Sequence, residues 1–318
     1  MSHQGQGRRS PMIASLALAA LLAGCATPAS RHPLTASDLG AASRASALEA
    51  SLTQPGVVNF ERVRFAQWTA GRGVFIDRKD PRTAAVPKGD EEATIYAYVV
   101  DHPRFGRVLI DSGVSAELGE RLNGLMRRAV SDLDIRIVRT AAQWLDGQTP
   151  PRAVFLTHLH FDHVGGLVDL PVTTPVYVGA GEAQERSRVN LVLGRPADAA
   201  LRGYGPLREW RFEPDPDGRF AGVLDVFGDG SIWAISTPGH SAGSTAYLVN
   251  AVDGPKLVVG DAVSTRLGWE QQMPQPVAPS ARADAEASAQ RLRNFAAAHP
   301  NVEVFLGHQS RSEQAEAR

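Results

Sequence analysis

The sequence predicts an α/β (α+β) protein in which mixed β-sheets are covered by helices. Apolar runs of strand length recur along the chain, and patterns with helical spacing lie between them in both halves. The 318 residues, 43% hydrophobic and 21% charged, have the composition of a globular protein with one large or two modest domains. A formal net charge of −1 provides no basic excess, so we expect no nucleic-acid partner.

The strand predictions rest on short apolar runs that are bounded by turn residues. In the first half, two such runs flank a turn and a third follows a Pro-Pro pair. These predicted strands cover 94–100, 107–110 and 153–156. The second half contains further candidates at 175–178, 231–236, 245–249, 256–259 and 302–306. Strands therefore dominate the predicted fold.

Helices are predicted where apolar residues repeat every three or four positions. These segments are 115–130, 141–145 and 281–298. The intervals 60–92, 183–222 and 262–280 show neither pattern and are predicted to be long connections. Loops of that length in a compact domain usually carry function, so we expect substrate specificity to lie there.

The N-terminal segment has the pattern of a secretory signal. Two arginines precede an apolar run over 12–23, and small residues lead to Cys25. Leu-Ala-Gly-Cys at 22–25 resembles the lipobox of bacterial lipoproteins, which implies cleavage after residue 24 and lipidation of Cys25. A plain cleaved signal peptide and a retained anchor are the alternatives.

This resemblance divides the chain into a lipoprotein signal peptide at 1–24, a tether at 25–56 and a main domain at 57–318. The tether is rich in Ala, Ser, Thr and Pro. The resemblance implies a protein of the cell envelope that is lipid-anchored in the membrane. Because Asp is absent after the cysteine, we expect the periplasmic side of the outer membrane. A single cysteine excludes an intrachain disulfide.

The strongest chemical signal directly follows the strand predicted at 153–156. His158 and His160 can point the same way from an extended segment, because side chains alternate with a period of two. Asp162 and His163 lie where the chain turns, so they can face a second point nearby. Three imidazoles and a carboxylate suit zinc, and also iron, cobalt or manganese. These residues predict a metal site.

Further candidate ligands lie elsewhere in the chain. His240, Asp261 and His308 each come just after a predicted strand and close to a glycine. Strands that deliver polar residues to one sheet edge build a site on a rigid scaffold. The alternative, a set of ordinary surface histidines, requires an independent coincidence in each of these segments.

The pattern His-x-His-x-Asp-His, with the later His, Asp and His in this order, resembles the metallo-β-lactamase fold superfamily over about residues 93–318. The resemblance implies an αββα sandwich of two mixed β-sheets, with two divalent metal ions, zinc being expected, at one sheet edge. By this resemblance one metal is held by His158, His160 and His240, the other by Asp162, His163 and His308, and Asp261 bridges them. Asp111 is expected either behind the ligands, holding an imidazole, or simply as a turn residue before Gly113.

The resemblance implies a hydrolase in which a hydroxide held between the metals attacks a carbonyl or phosphoryl group, while Asp162 orients it and transfers a proton. Asp261 together with His163 is similar to the lactonase, glyoxalase II-like thioesterase and phosphodiesterase branches. Zinc β-lactamases have a cysteine or no protein ligand at the position of Asp261. A β-lactamase is therefore a more distant alternative.

The motif is most similar to that of N-acyl homoserine lactonases, which predicts a small-molecule substrate, a lactone or a carboxylic ester. Those enzymes commonly carry a tyrosine where this chain has Ser264. Thioester and organophosphate hydrolysis are the alternatives, followed by a mononuclear iron persulfide dioxygenase and a metal-binding lipoprotein without turnover. Trp269 and Met273 either line an acyl pocket or pack their own loop. The oligomeric state stays open.

Overall fold

The computed structural model describes residues 27–122, 124, 127–128, 135–187 and 196–311. The strands, in chain order, are β1 (Thr27–Pro28), β2 (Leu34–Ala36), β3 (Ala41–Ala42), β4 (Asn59–Gly71), β5 (Asp90–His102), β6 (Gly106–Ile110), β7 (Arg136–Ile137), β8 (Ala153–Phe155), β9 (Val176–Val178), β10 (Arg186–Ser187), β11 (Leu207–Glu209), β12 (Val223–Asp225), β13 (Ile232–Ser236), β14 (Thr245–Ala251), β15 (Gly254–Gly260) and β16 (Glu303–Leu306). The described α-helices are α1 (Ala45–Ser51), α2 (Leu118–Arg121), α3 (Ala141–Leu145), α4 (Phe161–Val164), α5 (Pro196–Ala200), α6 (Arg266–Glu270) and α7 (Arg282–Ala298).

Two large sheets dominate the fold. An eight-stranded sheet has the order β2-β11-β9-β8-β6-β5-β4-β7, and a six-stranded sheet has the order β16-β15-β14-β13-β12-β3. Both sheets are mixed: β6 pairs antiparallel with β5 and parallel with β8, while β15 pairs antiparallel with β14 and parallel with β16. The predicted pair of mixed sheets is confirmed.

The buried side chains form three apolar layers. Alternate residues of β5 belong to different layers, as the two faces of a strand require. The middle layer, between the sheets, contains Phe155 and Tyr247. Trp144 of α3 belongs to the layer that covers the larger sheet, and Leu48 of α1 and Leu292 of α7 belong to the layer that covers the smaller sheet. The molecule is therefore a helix–sheet–sheet–helix sandwich, and the αββα prediction is confirmed.

The predicted elements agree with the structure except in the three intervals predicted to be long connections. The interval 183–222 contains β10, α5 and β11, and the interval 262–280 contains α6. Each strand predicted from an apolar run overlaps an observed strand, and the helix predicted at 141–145 is α3. The interval 60–92, however, contains most of β4, a strand of 13 residues that pairs along its length with β5. The sequence does not predict this strand, because charged residues such as Glu61 and Arg62 interrupt the apolar run. The helix predicted at 115–130 is represented by α2, and much of its remainder lies outside the described residues.

The segment predicted to be a free tether is folded onto the domain from residue 27 to residue 52. β2 pairs with β11 and so becomes an edge of the larger sheet, while β3 pairs with β12 and so becomes an edge of the smaller one. Leu48 of α1 is fully buried. The prediction of a spacer at 25–56 is therefore corrected over residues 27–52, because short strands and one buried leucine attach this part to both sheets.

The proposed signal peptide and Cys25 lie outside the described residues. Within the described part of the chain, no helix has the length and apolar composition that crossing a bilayer requires.

Candidate metal centre

The candidate ligands lie at one edge of the sandwich because several strands end there. The segment after β8 carries His158 and His160 and leads into α4. His240 follows β13, Asp261 follows β15, and His308 follows β16. The structure thus brings the residues chosen from the sequence to a common place, although they come from four separate segments.

Three histidines form the first group of ligand atoms. The group consists of His158, His160 and His240. Each offers one ring nitrogen, and these three nitrogens lie within 4.8 Å of one another. His240 Nε2 is 3.0 Å from His160 Nδ1. His158 is buried, His240 is half-buried and His160 is exposed, so this group opens towards solvent.

The second group contains Asp162, His163 and His308, whose ligand atoms also lie within 4.8 Å of one another. All three are buried. Asp261 lies between the two groups: its Oδ2 is 3.2 Å from His308 Nε2 and 3.6 Å from His240 Nε2. One carboxylate therefore reaches imidazoles of both groups, as the bridging prediction requires.

Several buried polar atoms of this centre have no hydrogen-bond partner among the described residues: His158 Nε2, His163 Nε2 and Asp261 Oδ1. A buried polar atom without a partner costs free energy, so such atoms in a native structure call for a ligand. All three atoms belong to the candidate metal groups, and imidazole nitrogens with carboxylate oxygens suit divalent cations. The donor set therefore fits a metal centre.

In three of the histidines, the ring nitrogen opposite Nε2 contacts an oxygen of the protein. His163 Nδ1 is 2.9 Å from Asp111 Oδ2, His308 Nδ1 is 3.1 Å from the carbonyl oxygen of Thr94, and His240 Nδ1 is 3.2 Å from Gln275 Oε1. Such contacts fix the tautomer and leave Nε2 for a cation. Asp111 thus contacts an imidazole of the cluster, as the first of its two predicted roles requires.

Burial and charge give the site its electrostatic character. Burial, reinforced by the neighbouring histidines, lowers the pKa of His158 well below its usual value, so that imidazole stays neutral. Burial also opposes a charge on His163, but Asp111 and Asp162 outweigh it and raise the pKa of His163 to about 10. Burial opposes ionisation of Asp261, yet His308 and the other imidazoles hold its pKa well below the usual range.

Two functional contacts are absent from the sequence-based predictions. Gln275 lies in the interval 262–280, and its side-chain NH₂ also donates to the carbonyl oxygens of Asp261 and Ala262. Glu182, just before the interval 183–222, is buried against the loops that carry His158 and His240. Neither position has a sequence signal beyond its place in or beside a long connection.

Trp269 and Met273, the two side chains predicted either to line an acyl pocket or to pack their own loop, have different surroundings. Trp269 is buried in the layer that contains Leu292, so it packs its own loop. Met273 lines a cavity of about 270 Å³ together with Val263 and Ala289. Ser264 is buried, and its backbone carbonyl accepts a hydrogen bond from the N–H of His308.

A family comparison agrees with this geometry. The sequence profile of the Metallo-beta-lactamase superfamily matches residues 92–308, which include the predicted metal ligands. The chain belongs to this superfamily. Among curated relatives of this superfamily member, N-acyl homoserine lactonase AttM of Agrobacterium fabrum is 28% identical over 232 residues, covering 69% of this chain and 83% of the relative.

Solved structures with the same fold include a quorum-quenching N-acyl homoserine lactone lactonase. It superposes with a TM-score of 0.61 at 18% identity, covering 82% of this chain and 97% of the other. AidC, a dizinc quorum-quenching lactonase in complex with a product, has a TM-score of 0.54 at 12% identity, covering 86% and 92%. At these identities the two structures support the superfamily fold alone.

Proposed function

We propose that this member of the superfamily is a binuclear metal-dependent hydrolase of lactones or related carboxylic esters. The observation that carries the proposal is the position of Asp261, within 3.6 Å of imidazole nitrogens from both ligand groups. A carboxylate between two sets of histidines suits a pair of cations better than a single one. The lactonase names of the relatives favour this substrate class.

Seven residues would hold the cations, zinc being our first choice: His158, His160, Asp162, His163, His240, Asp261 and His308. When bound, two such ions lower the pKa of water and polarise a substrate oxygen. The chain supplies orientation and proton transfer. The imidazoles are held from behind, and Asp162, whose Oδ2 is 3.3 Å from His308 Nε2, is the carboxylate to which we assign the proton transfer to the leaving oxygen.

Position 264 bears on the choice of substrate. The buried Ser264 supports His308 through its backbone and offers no phenol to a substrate carbonyl. Another group must therefore assist the carbonyl, or the substrate differs from an N-acyl homoserine lactone. For this reason a test includes thioesters, phosphotriesters and β-lactams beside lactones.

The decisive experiment measures metal content and a hydrolysis panel on wild type and Asp261→Ala. We expect two zinc-like ions per chain, hydrolysis of lactones or esters, and a variant that loses affinity for at least one ion and turns over orders of magnitude more slowly. Asp253→Ala is the matched control: Asp253 is an exposed carboxylate that pairs with Lys256, and this variant should behave as wild type.

Three outcomes would overturn parts of the proposal. Near-normal turnover in Asp261→Ala would remove the bridging role. One redox-active iron per chain would favour the persulfide dioxygenase alternative. Full metal loading without hydrolysis of any substrate in the panel would favour a metal-binding protein without turnover.

We further propose that the protein is lipid-anchored in the cell envelope, at the periplasmic side of the outer membrane. The support is the Leu-Ala-Gly-Cys sequence at 22–25 behind an apolar run. Radioactive palmitate should label the wild-type chain and fail to label Cys25→Ser. Label that persists in the variant would refute the anchor.

A further inference from the structure

Glu182 is a buried carboxylate that lies behind the three-histidine group. Its side chain follows β9 and is 1% exposed. Oε1 accepts a hydrogen bond of 2.7 Å from the backbone N–H of Leu159. Oε2 accepts one of 2.6 Å from Ser241 Oγ and one of 2.9 Å from the N–H of Gly243. The carboxylate thus joins two loops that are distant in sequence.

These loops carry every ligand of the three-histidine group. Leu159 lies between His158 and His160, and Ser241 follows His240. The imidazoles of the other group are supported differently: His163 by Asp111 and His308 by the carbonyl of Thr94. Within the described part of the chain, the hydrogen bonds of the Glu182 carboxylate reach only the segments that carry the first group.

The packing around Glu182 leaves little freedom. A Cβ added to Gly243 would lie 2.5 Å from Glu182 Cβ and 2.8 Å from the carbonyl oxygen of Gly179, so the two backbones meet closely. Burial opposes ionisation of this carboxyl and raises its pKa to about 7. Hydrogen-bond donors in both loops offset the cost of burying this carboxyl. Any change in the separation of the loops therefore breaks a hydrogen bond at a buried group.

We propose that Glu182 is the positioning residue of the three-histidine cation site, setting the distance between the 158–160 segment and His240. The inference rests on the proposed two-metal centre and adds to it a side chain whose hydrogen bonds, among the described residues, go to neighbours of the ligands. We therefore expect loss of Glu182 to lower the affinity for one cation and to leave the affinity for the other unchanged.

The test uses Glu182→Gln, which keeps the shape of the side chain. An amide has one acceptor oxygen, so its NH₂ must face a backbone N–H on one of the two sides. We expect biphasic removal of Zn²⁺ by a chelator, with affinity lowered about 10- to 100-fold in one phase and unchanged in the other. The d–d spectrum of the Co²⁺-loaded protein should change with that phase.

Asp215→Asn is the matched control. Asp215 is also buried and accepts hydrogen bonds from the backbone N–H groups of Ala45 and Phe220. In the described part of the chain its hydrogen bonds do not reach a loop that carries a ligand. We expect this variant to unfold at a lower temperature, while both phases of Zn²⁺ removal by the chelator stay as in wild type. His308→Ala, which removes a ligand of the other group, should shift the opposite phase from Glu182→Gln and so assigns each phase to a group.

Should Glu182→Gln fail to fold, Ser241→Ala removes only one of the three bonds and should shift the same phase by a smaller factor. The inference would be overturned if Glu182→Gln bound both ions equally more weakly, or bound both as tightly as wild type. A wild-type protein that binds fewer than two ions would also overturn it. Two bound ions without hydrolysis of any substrate would instead contradict the proposed function and leave this inference standing.

Discussion

The carboxylate of Asp111 lies 2.9 Å from Nδ1 of His163 and also accepts a hydrogen bond from the backbone N–H of Thr157. Asp111 has a φ of 59°, a left-handed conformation that residues other than glycine seldom adopt. Such a conformation costs about 1–3 kcal/mol and persists where the surroundings enforce it. Here it places the carboxylate between the end of β8 and the imidazole of His163, so that Nε2 of this ring faces the cluster.

The contact predicts the effect of Asp111→Asn. The amide is neutral and can present its NH₂ to the imidazole, which removes both the charge and the fixed tautomer. We expect affinity for one of two cations to fall about 10- to 100-fold, as for other residues that orient metal ligands. Competition with a chelating dye would measure it.

The matched control is Asp229→Asn. Asp229 Oδ2 lies 3.0 Å from Nε2 of the buried His102, so this pair repeats the same contact away from the cluster. The control should bind both cations normally. Equal metal affinity in Asp111→Asn and wild type would contradict the orienting role.

Gly307 offers a steric test of the bridging carboxylate. A Cβ at this position would lie 2.0 Å from Asp261 Oδ1, well inside contact distance. In Gly307→Ala the carboxylate must therefore move, and we expect both cations to bind more weakly and hydrolysis to fall at least about tenfold. Metal titration and initial rates would measure these effects.

Gly205→Ala serves as the control, because a Cβ there meets no atom within 4 Å. It should keep the metal affinity and turnover of wild type. Unchanged metal binding in Gly307→Ala would show that Asp261 is not confined as the structure indicates.

The ligand cluster could be predicted because its signals are local. Each candidate ligand follows an apolar strand, as His240 follows β13 and His308 follows β16. Strand ends of one sandwich meet at common edges, so the sequence order of strands and polar residues carries much of the spatial information. The αββα layering follows from the same alternation of strands and helices.

Other features depend on pairing across long stretches of chain. β2 has 3 residues and joins the larger sheet only through β11, and β3 has 2 residues and joins the smaller sheet through β12. Segments this short show no periodicity in the sequence, so the composition of 25–56 predicts a tether. The contacts of Glu182 and Gln275 likewise arise from loop packing and have no pattern in the sequence.

The charge state of His163 predicts how the metal-free protein responds to pH. Burial opposes its charge, but Asp111 and Asp162 raise its pKa to about 10, above the value of about 6.5 in an unfolded chain. The proton is therefore bound more tightly in the folded state. Its contribution to stability is fully present below pH 6.5 and is lost as the pH rises through about 10.

We expect the melting temperature of the metal-free protein to fall between pH 7 and pH 10, and that of Asp111→Asn to fall less. Cations need the unprotonated Nε2, so zinc uptake at pH 8 should release about one proton from this imidazole. Calorimetry in buffers of different ionisation enthalpy would count it, and histidine NMR of the metal-free protein would assign it. A His163 that titrates near pH 6.5 would refute the charged state, because Asp111 and Asp162 would then not outweigh its burial.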